Sequence, residues 1–222
     1  MILTTEAQAQ AWLAQLPEWD PVARERLELL HQLLRQENQR QNLVAATSLA
    51  AVWLRHIVDS AQLLAHVTHE TSSPWLDLGT GAGFPGLVIA ALRPECRVVM
   101  VESRARRAEW LHSARLALNL ERAEVFGGQL ELLPTEEFRV ISARAFAPLS
   151  KLLTLSARFS TSDTRWLLPK GRSAAQELLG LSGWQHMFHV EQSLSEAEAG
   201  VIVGTLVGPN AGKAAGKKGK TA

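Results

Sequence analysis

The fold is decided by the stretch Asp77-Leu78-Gly79-Thr80-Gly81-Ala82-Gly83-Phe84-Pro85-Gly86. Apolar residues at 75–78 predict a short strand before the glycines, and residues 85–92 predict a helix after them. Glycines at such a junction let the backbone turn tightly and approach a ligand closely, and the first amides of the helix stay free. The stretch therefore predicts a cofactor-binding turn between a strand and a helix.

An acidic residue follows where a ribose ligand is expected. Glu102 ends the next predicted strand, 21 residues after Gly81, and a carboxylate there can accept hydrogen bonds from both ribose hydroxyls of an adenosine-containing cofactor. Two cofactor classes fit this arrangement. The spacing Gly-x-Gly-x-x-Gly at 81–86 is the dinucleotide fingerprint of NAD(P)-dependent oxidoreductases. The spacing Asp-x-Gly-x-Gly-x-Gly at 77–83 is the form of the turn in S-adenosylmethionine-dependent methyltransferases.

The methyltransferase interpretation explains more of the sequence. It gives Asp77 the role of orienting the amino-acid end of the cofactor, beside Gly79, Gly81 and Gly83 of the turn. The dinucleotide interpretation explains neither Asp77 nor Pro85, nor the about seventy residues of mostly helical pattern that come first. An NAD(P)-dependent oxidoreductase and a purely structural turn stay open as alternatives.

Strand and helix patterns alternate after the glycine turn. Further strands are predicted at 97–101, 125–126, 140–143 and 166–168, with a closing hairpin at 186–192 and 200–207. This order predicts an α/β fold with a doubly wound, mostly parallel sheet. We expect an N-terminal helical extension at 1–70, the sheet domain at 71–207 and a disordered basic tail at 208–222.

Composition narrows the class of protein. The chain has 222 residues, of which 46% are hydrophobic, and no apolar run approaches the roughly 18 residues needed to span a bilayer. We therefore expect a cytoplasmic, monomeric protein without membrane association. The single cysteine, Cys96, excludes an internal disulfide and a cysteine-based zinc site, and we expect no bound metal.

Charge is unevenly distributed along the chain. The segment 208–222 has four lysines and no acidic residue, so the net charge of +1 leaves −3 for the rest of the chain. A nucleic-acid site in the body of the protein must therefore be a local patch of basic side chains.

Five separate pieces of the sequence resemble one family, the bacterial small-subunit (16S) rRNA guanine-N7 methyltransferases RsmG, also called GidB. The stretch 77–86 is similar to the first motif of that family, and the other pieces follow the family order. These pieces are Asn42-Leu43, Arg55-His56-Ile57-Val58-Asp59-Ser60, Ala143-Arg144-Ala145-Phe146-Ala147-Pro148-Leu149 and Lys170-Gly171. The resemblance covers roughly residues 25–175. It implies a Rossmann-like class I methyltransferase that uses S-adenosylmethionine to methylate N7 of a guanosine in 16S rRNA.

The candidate site residues come from the turn, from the strand ends and from this resemblance. Those expected at the cofactor are Asp77, Gly79, Gly81, Gly83, Phe84, Glu102, Leu130, Glu131 and Arg144. Those expected to position the substrate are Asn42, His56, Arg144 and Lys170. Arg144 and Lys170 lie at the ends of predicted strands, on the sheet edge where ligands bind in open α/β folds. Arg55 and Asp59 have ion-pair spacing on one helix, as do His56 and Asp59.

The sequence also limits the atom that is methylated. Cys96 lies six residues before Glu102, roughly 20 Å along a strand, too far to act as the nucleophile that pyrimidine C5 methylation requires. The segment 143–149 lacks the aromatic Pro-Pro motif common in exocyclic-amine methyltransferases. Ring-nitrogen and ribose methylation remain, and the resemblance selects guanine N7, for which no general base is expected. A small-molecule or protein methyltransferase and a non-catalytic ribosome-associated RNA-binding module are further alternatives.

Overall fold

The computed structural model describes residues 1–210. Its α-helices are α1 (Glu6–Leu13), α2 (Pro21–Glu37), α3 (Ala46–Leu49), α4 (Asp59–Ala61), α5 (Gly86–Leu92), α6 (Ala105–Ala117), α7 (Leu149–Ser156) and α8 (Ala174–Leu179). Its strands are β1 (Trp75–Leu78), β2 (Val98–Glu102), β3 (Ala123–Gly127), β4 (Val140–Ala143), β5 (Arg165–Gly171), β6 (Trp184–His186), β7 (His189–Gln192) and β8 (Gly200–Pro209). A π-helical turn spans Trp53–Val58, and 3₁₀ turns span Gln62–His66, Leu130–Leu132 and Ala157–Phe159.

The strands form one sheet in the order β3-β2-β1-β4-β5-β8-β6, with β7 also paired to β8. Strands β1 to β5 are parallel, and β8 runs antiparallel to β5. The predicted α/β fold with a mostly parallel sheet is therefore confirmed, as is the closing hairpin of β7 and β8. The chain order reverses between β1 and β4, so their carboxyl ends border the crevice in which such folds bind ligands.

Alternate residues of the strands face two separate apolar layers. In β1, Trp75 belongs to the layer that contains α5 and α6, whereas Leu76 and Leu78 belong to the layer that contains α7. This period of two is what a sheet covered by helices on both faces requires. Asp77 shares the face of Trp75, so a carboxylate lies within the first layer and must be satisfied there by hydrogen bonds.

The N-terminal helices complete that first layer. Leu27, Leu30 and Leu34 of α2 are buried in the same apolar cluster as α5. An ion pair between Arg93 and Glu18, 2.7 Å apart and almost fully buried, fixes this contact. The segment 1–70 thus shares the hydrophobic core of the sheet, which brings its last helical turns to the sheet edge.

Strand β8 enters the segment that the sequence assigned to the tail. It continues to Pro209, and Gly208 pairs with Gln185 of β6, so the expected boundary at 208 is two residues too early. The remainder of the predicted tail, 211–222, lies outside the described residues. Within residues 1–210, the helices are all too short or too polar to span a membrane.

Candidate active site

The glycine turn has the backbone geometry that the sequence predicted. Gly81 has φ +60° and Gly83 has φ +107°, in the left-handed region that residues with a Cβ avoid. A Cβ at Gly83 would overlap Cδ1 of Leu87, whereas a Cβ at Gly81 would come no closer than 3.7 Å to any protein atom. Gly83 is therefore required by the packing of the turn against Leu87, whereas a Cβ at Gly81 would make only ordinary contacts with protein atoms.

Asp77 stabilises the glycine turn from its buried side. Its carboxylate accepts hydrogen bonds from Ser142 Oγ at 2.8 Å and from the Gly86 amide at 3.0 Å, and the residue is completely buried. Ser142 in turn accepts a hydrogen bond from the indole of Trp75 at 2.8 Å. Burial raises the pKa of Asp77 to about 6 despite these hydrogen bonds. The sequence predicted a cofactor contact for Asp77, and the structure adds a supporting role for it.

Glu102 lies against the outer side of the turn. Its Oε2 accepts a hydrogen bond from the Gly81 amide at 3.0 Å, and its Oε1 accepts one from the Arg104 amide at 2.8 Å. A carboxylate has about four acceptor positions, so two remain for the ribose hydroxyls that the sequence predicted as ligands. The structure therefore places the acidic residue and the glycine turn side by side.

The loop after β3 lies on the same side of the glycine turn as Glu102. The Gly128 amide donates to the Glu102 carbonyl at 3.0 Å, which brings the next turn, Leu130–Leu132, beside Glu102. Leu130 is buried and Glu131 is exposed. The turn therefore places Leu130 and Glu131, two of the residues expected at the cofactor, beside the Glu102 carboxylate.

A cleft of about 650 Å³ opens on the other side of the turn. Its walls come from the π-helical turn, the segment after β4, the end of β5 and the residues between β7 and β8. His56, Arg144 and Lys170, three of the four predicted substrate residues, line it. The fourth, Asn42, is exposed in the connection between α2 and α3 and is not among the lining residues.

Phe84 joins the glycine turn to this cleft. The ring of His56 stacks on Phe84 with centroids 4.8 Å apart, and the guanidinium of Arg144 lies 5.2 Å from the centre of the same ring. Arg144 Nη1 is 3.2 Å from His56 Nδ1 and 3.3 Å from Asp59 Oδ2. Residues from the N-terminal segment, the turn and β4 therefore meet at one point.

His56 is neutral at physiological pH. Burial first, and then the nearby positive charges of Arg144 and Arg55, lower its pKa from 6.5 to about 3. Because the Arg144 guanidinium can only donate, Nδ1 of His56 accepts and the ring proton is assigned to Nε2. Nε2 is buried and has no hydrogen-bond partner within residues 1–210. A ligand that supplied an acceptor would remove the cost of this unpaired donor.

The ion pairs differ from those that helical spacing suggested. Asp59 pairs with Arg144, and Arg55 pairs with Glu196 at 2.9 Å, so the Arg55–Asp59 ion pair that helical spacing allows is not formed. The cause is local, because residues 53–58 form a π-helical turn, in which the spacing of side chains departs from that of an α-helix. Such turns are frequent at functional sites.

Lys170 has its charge compensated within the protein. Its ammonium donates to the Ala147 carbonyl at 2.6 Å and lies 3.0 Å from Glu177, and its side chain is only 7% exposed. Lys170 therefore fixes the segment after β4 against α8. Lys170 is expected from the sequence to position the substrate, but in the structure its charge is paired with Glu177.

Sequence reasoning assigned no role to two residues that shape the site. A Cβ on Gly79 would lie 2.6 Å from the ring of Phe146, so this ring lies directly over the turn. Ser142 holds Asp77 from the neighbouring strand. Both follow from the parallel register of β1 and β4, in which Asp77 is opposite Ser142. A pairing scheme for the strands could have identified Ser142, whereas the position of Phe146 depends on the turn at Ala145, where φ is +54°.

Comparison with solved structures defines the class of protein. An O-methyltransferase from Bacillus cereus, solved in complex with SAH, aligns with 90% of this chain and 97% of its own chain, with a TM-score of 0.55 and 17% sequence identity. At that identity the likeness concerns the fold alone. The chain has the class I methyltransferase fold.

Comparison of sequences defines the family. The chain matches the GidB family, described as rRNA small subunit methyltransferase G, over residues 23–197. Ribosomal RNA small subunit methyltransferase G of Erythrobacter litoralis is 59% identical over 204 residues, which are 91% of this chain and 97% of that protein. The protein of the same name from Novosphingobium aromaticivorans is 57% identical over 210 residues, 93% of this chain and 91% of that protein. The chain belongs to the rRNA small subunit methyltransferase G family.

Proposed function

We propose that this protein transfers a methyl group from S-adenosylmethionine to N7 of a guanosine in the 16S rRNA of the small ribosomal subunit. The observation that carries the proposal is the junction at Phe84. On one side lies a glycine turn with an adjacent carboxylate, and on the other lies a cleft lined by His56 and Arg144. Family membership supports the RNA substrate, and the resemblance described above supports guanine N7.

The residues around the turn fit the proposed cofactor. The glycine turn lets a ligand approach the backbone closely, and Glu102 keeps free acceptor positions for ribose hydroxyls. When bound, S-adenosylmethionine supplies an electrophilic methyl group on a sulfonium centre. The residues that would hold it are Asp77, Gly79, Gly81, Gly83, Phe84, Glu102, Leu130, Glu131 and Arg144.

The cleft offers donors to the target base. Within residues 1–210, Arg144 forms hydrogen bonds to protein only through Nη1. Its other N–H groups can therefore donate to guanine O6, as arginine does in groove recognition. His56 Nδ1 lies 3.2 Å from Arg144 Nη1, so His56 helps to hold the guanidinium in place, while its own Nε2 is buried. Because Phe84 packs against both residues, their side chains are held before a substrate arrives.

No proton has to leave the base during this reaction. Guanine N7 has an in-plane lone pair and no hydrogen, so attack on the methyl group needs no general base. His56, with a pKa of about 3, stays neutral and positions the substrate. The contribution of the protein is therefore alignment of the base and exclusion of water from the cleft.

The cellular setting follows from the proposed substrate. Acting on ribosomal RNA implies the cytoplasm, and we propose a monomer in which the segment 1–70 contributes His56 to the site. Lys170 and Asn42 are proposed to support RNA positioning, Lys170 through the wall that it fixes with Ala147. The segment 211–222 supplies further positive charge by sequence.

Methyl transfer from labelled S-adenosylmethionine tests the proposal. Naked 16S rRNA and 30S subunits that lack the modification are offered in parallel, with 50S subunits as a negative control, and the labelled nucleoside is identified by mass spectrometry. We expect N7-methylguanosine in at least one of the 16S samples. Arg144→Gln should reduce transfer by about a hundredfold, because the base loses its alignment.

A matched control lies at the opposite end of the same strand. Arg139 is exposed just before β4, so Arg139→Gln removes the same charge far from the cleft and should leave transfer unchanged. Labelling of a small molecule or protein instead of RNA would refute the proposed substrate. Binding of NAD(P) instead of S-adenosylmethionine in calorimetry would refute the proposed cofactor. Binding of neither compound would favour a non-catalytic RNA-binding module.

A further inference from the structure

The residues between β7 and β8, 193–199, form one wall of the cleft, here called the β7–β8 loop. Ser195 Oγ donates to Asp59 Oδ1 at 2.8 Å, which fixes the inner end of the loop beside Arg144. Glu196 follows at the mouth of the cleft, where its side chain is 30% exposed. The loop therefore carries a carboxylate to the entrance through which a substrate must pass.

Glu196 is shared by two arginines from different parts of the chain. Arg55 Nη2, from the π-helical turn, lies 2.9 Å from its Oε2, and Arg172 Nε, from the connection between β5 and α8, lies 3.6 Å from its Oε1. Arg172 Nε also lies 2.9 Å from Oε2 of Glu198, so a second carboxylate of the β7–β8 loop holds this arginine. The two arginine side chains are 42% and 73% exposed. Ion pairs this exposed contribute little to stability, so a competing anion can displace the carboxylate at small cost.

The other positive charges at the cleft are already neutralised. Arg144 is paired with Asp59, and the buried ammonium of Lys170 is paired with Glu177. An RNA strand that places a base at Arg144 brings its phosphates to the mouth of the cleft. Arg55 lines the cleft, Arg172 follows the lining residue Gly171, and the exposed guanidinium groups of both converge on the Glu196 carboxylate. Arginine forks bind carboxylate and phosphate with similar geometry.

We propose that Arg55 and Arg172 form a binding site for a backbone phosphate of the substrate RNA, and that Glu196 occupies this site in the free protein. The proposal rests on the proposed function, since it assumes an RNA substrate. It assigns to Glu196 the role of an internal competitor. RNA binding exchanges one anion for another and draws the β7–β8 loop away from the two arginines.

Direct RNA binding at several salt concentrations tests the site, with the full chain and unmethylated 16S rRNA as the probe. Glu196→Gln keeps the shape of the side chain and should bind RNA about three- to tenfold more tightly, because two exposed ion pairs no longer compete. Its plot of log affinity against log salt should be steeper by up to about 0.7, the counterion release per phosphate of a single strand. Arg172→Gln should weaken binding and make the plot shallower.

Two control variants distinguish a specific phosphate site from a general effect of protein charge on RNA binding. Glu191→Gln removes the same charge from β7, where Glu191 contacts His189 and lies outside the cleft lining, and it should change RNA affinity less than twofold. In the Arg172→Gln background, Glu196→Gln should lose part of its gain, because the two residues act on the same contact. Cofactor affinity and melting temperature should match the wild type in Glu196→Gln.

The phosphate site and the proposed function would be refuted by different results. Unchanged RNA affinity in Glu196→Gln, or an equal gain in Glu191→Gln, would refute the phosphate site while leaving the proposed function intact. Absence of methyl transfer to any RNA by the wild type would refute the proposed function, and the binding measurements would still report on the arginine pair.

Discussion

Replacing Gly81 by alanine tests whether the glycine turn is shaped for a ligand as well as for the fold. Gly81 has φ +60°, and its added methyl group would lie 3.7 Å from Arg107 Nη1 and from the Gly79 carbonyl, at ordinary contact distance. The cost to the fold is therefore the left-handed backbone alone, about 1–2 kcal/mol. For a chain of this length that corresponds to a fall in melting temperature of about 2–8 °C.

Gly83→Ala is the matched comparison within the same turn. Its methyl group would overlap the side chain of Leu87, which is completely buried. Overpacking of about 1–3 kcal/mol is then added to the backbone strain, so Gly83→Ala should be clearly less stable than Gly81→Ala. Thermal unfolding of both variants measures this difference.

Cofactor binding should show a different pattern from stability. The methyl group of Gly81→Ala lies on the turn that is proposed to contact the cofactor, so we expect S-adenosylmethionine to bind at least about tenfold more weakly in a folded protein, or about 1.4 kcal/mol. Isothermal titration calorimetry on the purified variant gives the value. Wild-type affinity in folded Gly81→Ala would show that this face of the turn does not contact the cofactor, and the assignment of the site would be wrong.

Three further predictions concern pH and the C-terminal segment. Because the pKa of His56 is about 3, the single-turnover rate with saturating RNA should be flat from about pH 7 to 9, and a log-linear rise removed by His56→Ala would contradict this. Burial raises the pKa of Asp77 from 3.8 to about 6, so its contribution to stability is present below about pH 4 and is lost as the pH rises through 6. Between pH 4 and pH 7.5, the free energy of urea unfolding of the wild type should fall by about 3 kcal/mol more than that of Asp77→Asn. Equal pH dependence of the two proteins would refute this prediction. Deleting 211–222, with its four lysines, should make the salt dependence of RNA binding shallower, and an unchanged slope would leave these lysines without a role in RNA binding.

The sheet and its turn could be predicted because their signals are local. The apolar runs that become β1, β2 and β4 are short and bounded by turn residues, and the glycines of 79–83 fix the junction with α5. Alternation of strands and helices then leaves few topologies for a parallel sheet. The boundary at 208 was less accurate because glycine and proline suggest a tail, whereas Gly208 and Pro209 still pair with β6.

The partners of the charged residues could not be predicted in the same way. Arg55 and Glu196 are separated by 141 positions, and Arg144 and Asp59 by 85. Spacing along one helix suggested local pairs instead, because it could not anticipate the π-helical turn. Lys170 was identified by position, but its burial depends on the packing of α8, which the sequence does not specify.

The charge balance at the cleft has a consequence for the proposed chemistry. Methylation at N7 leaves a positive charge on the guanine ring, so an uncompensated cation beside the base would oppose the reaction. The guanidinium of Arg144 lies 5.2 Å from the centre of the Phe84 ring, and Asp59 compensates its charge at 3.3 Å. His56, between them and the turn, is kept neutral by burial and by the same arginine. In the proposed reaction, Arg144, Asp59 and His56 together therefore add no net charge beside the base, as methyl transfer to a neutral ring nitrogen requires.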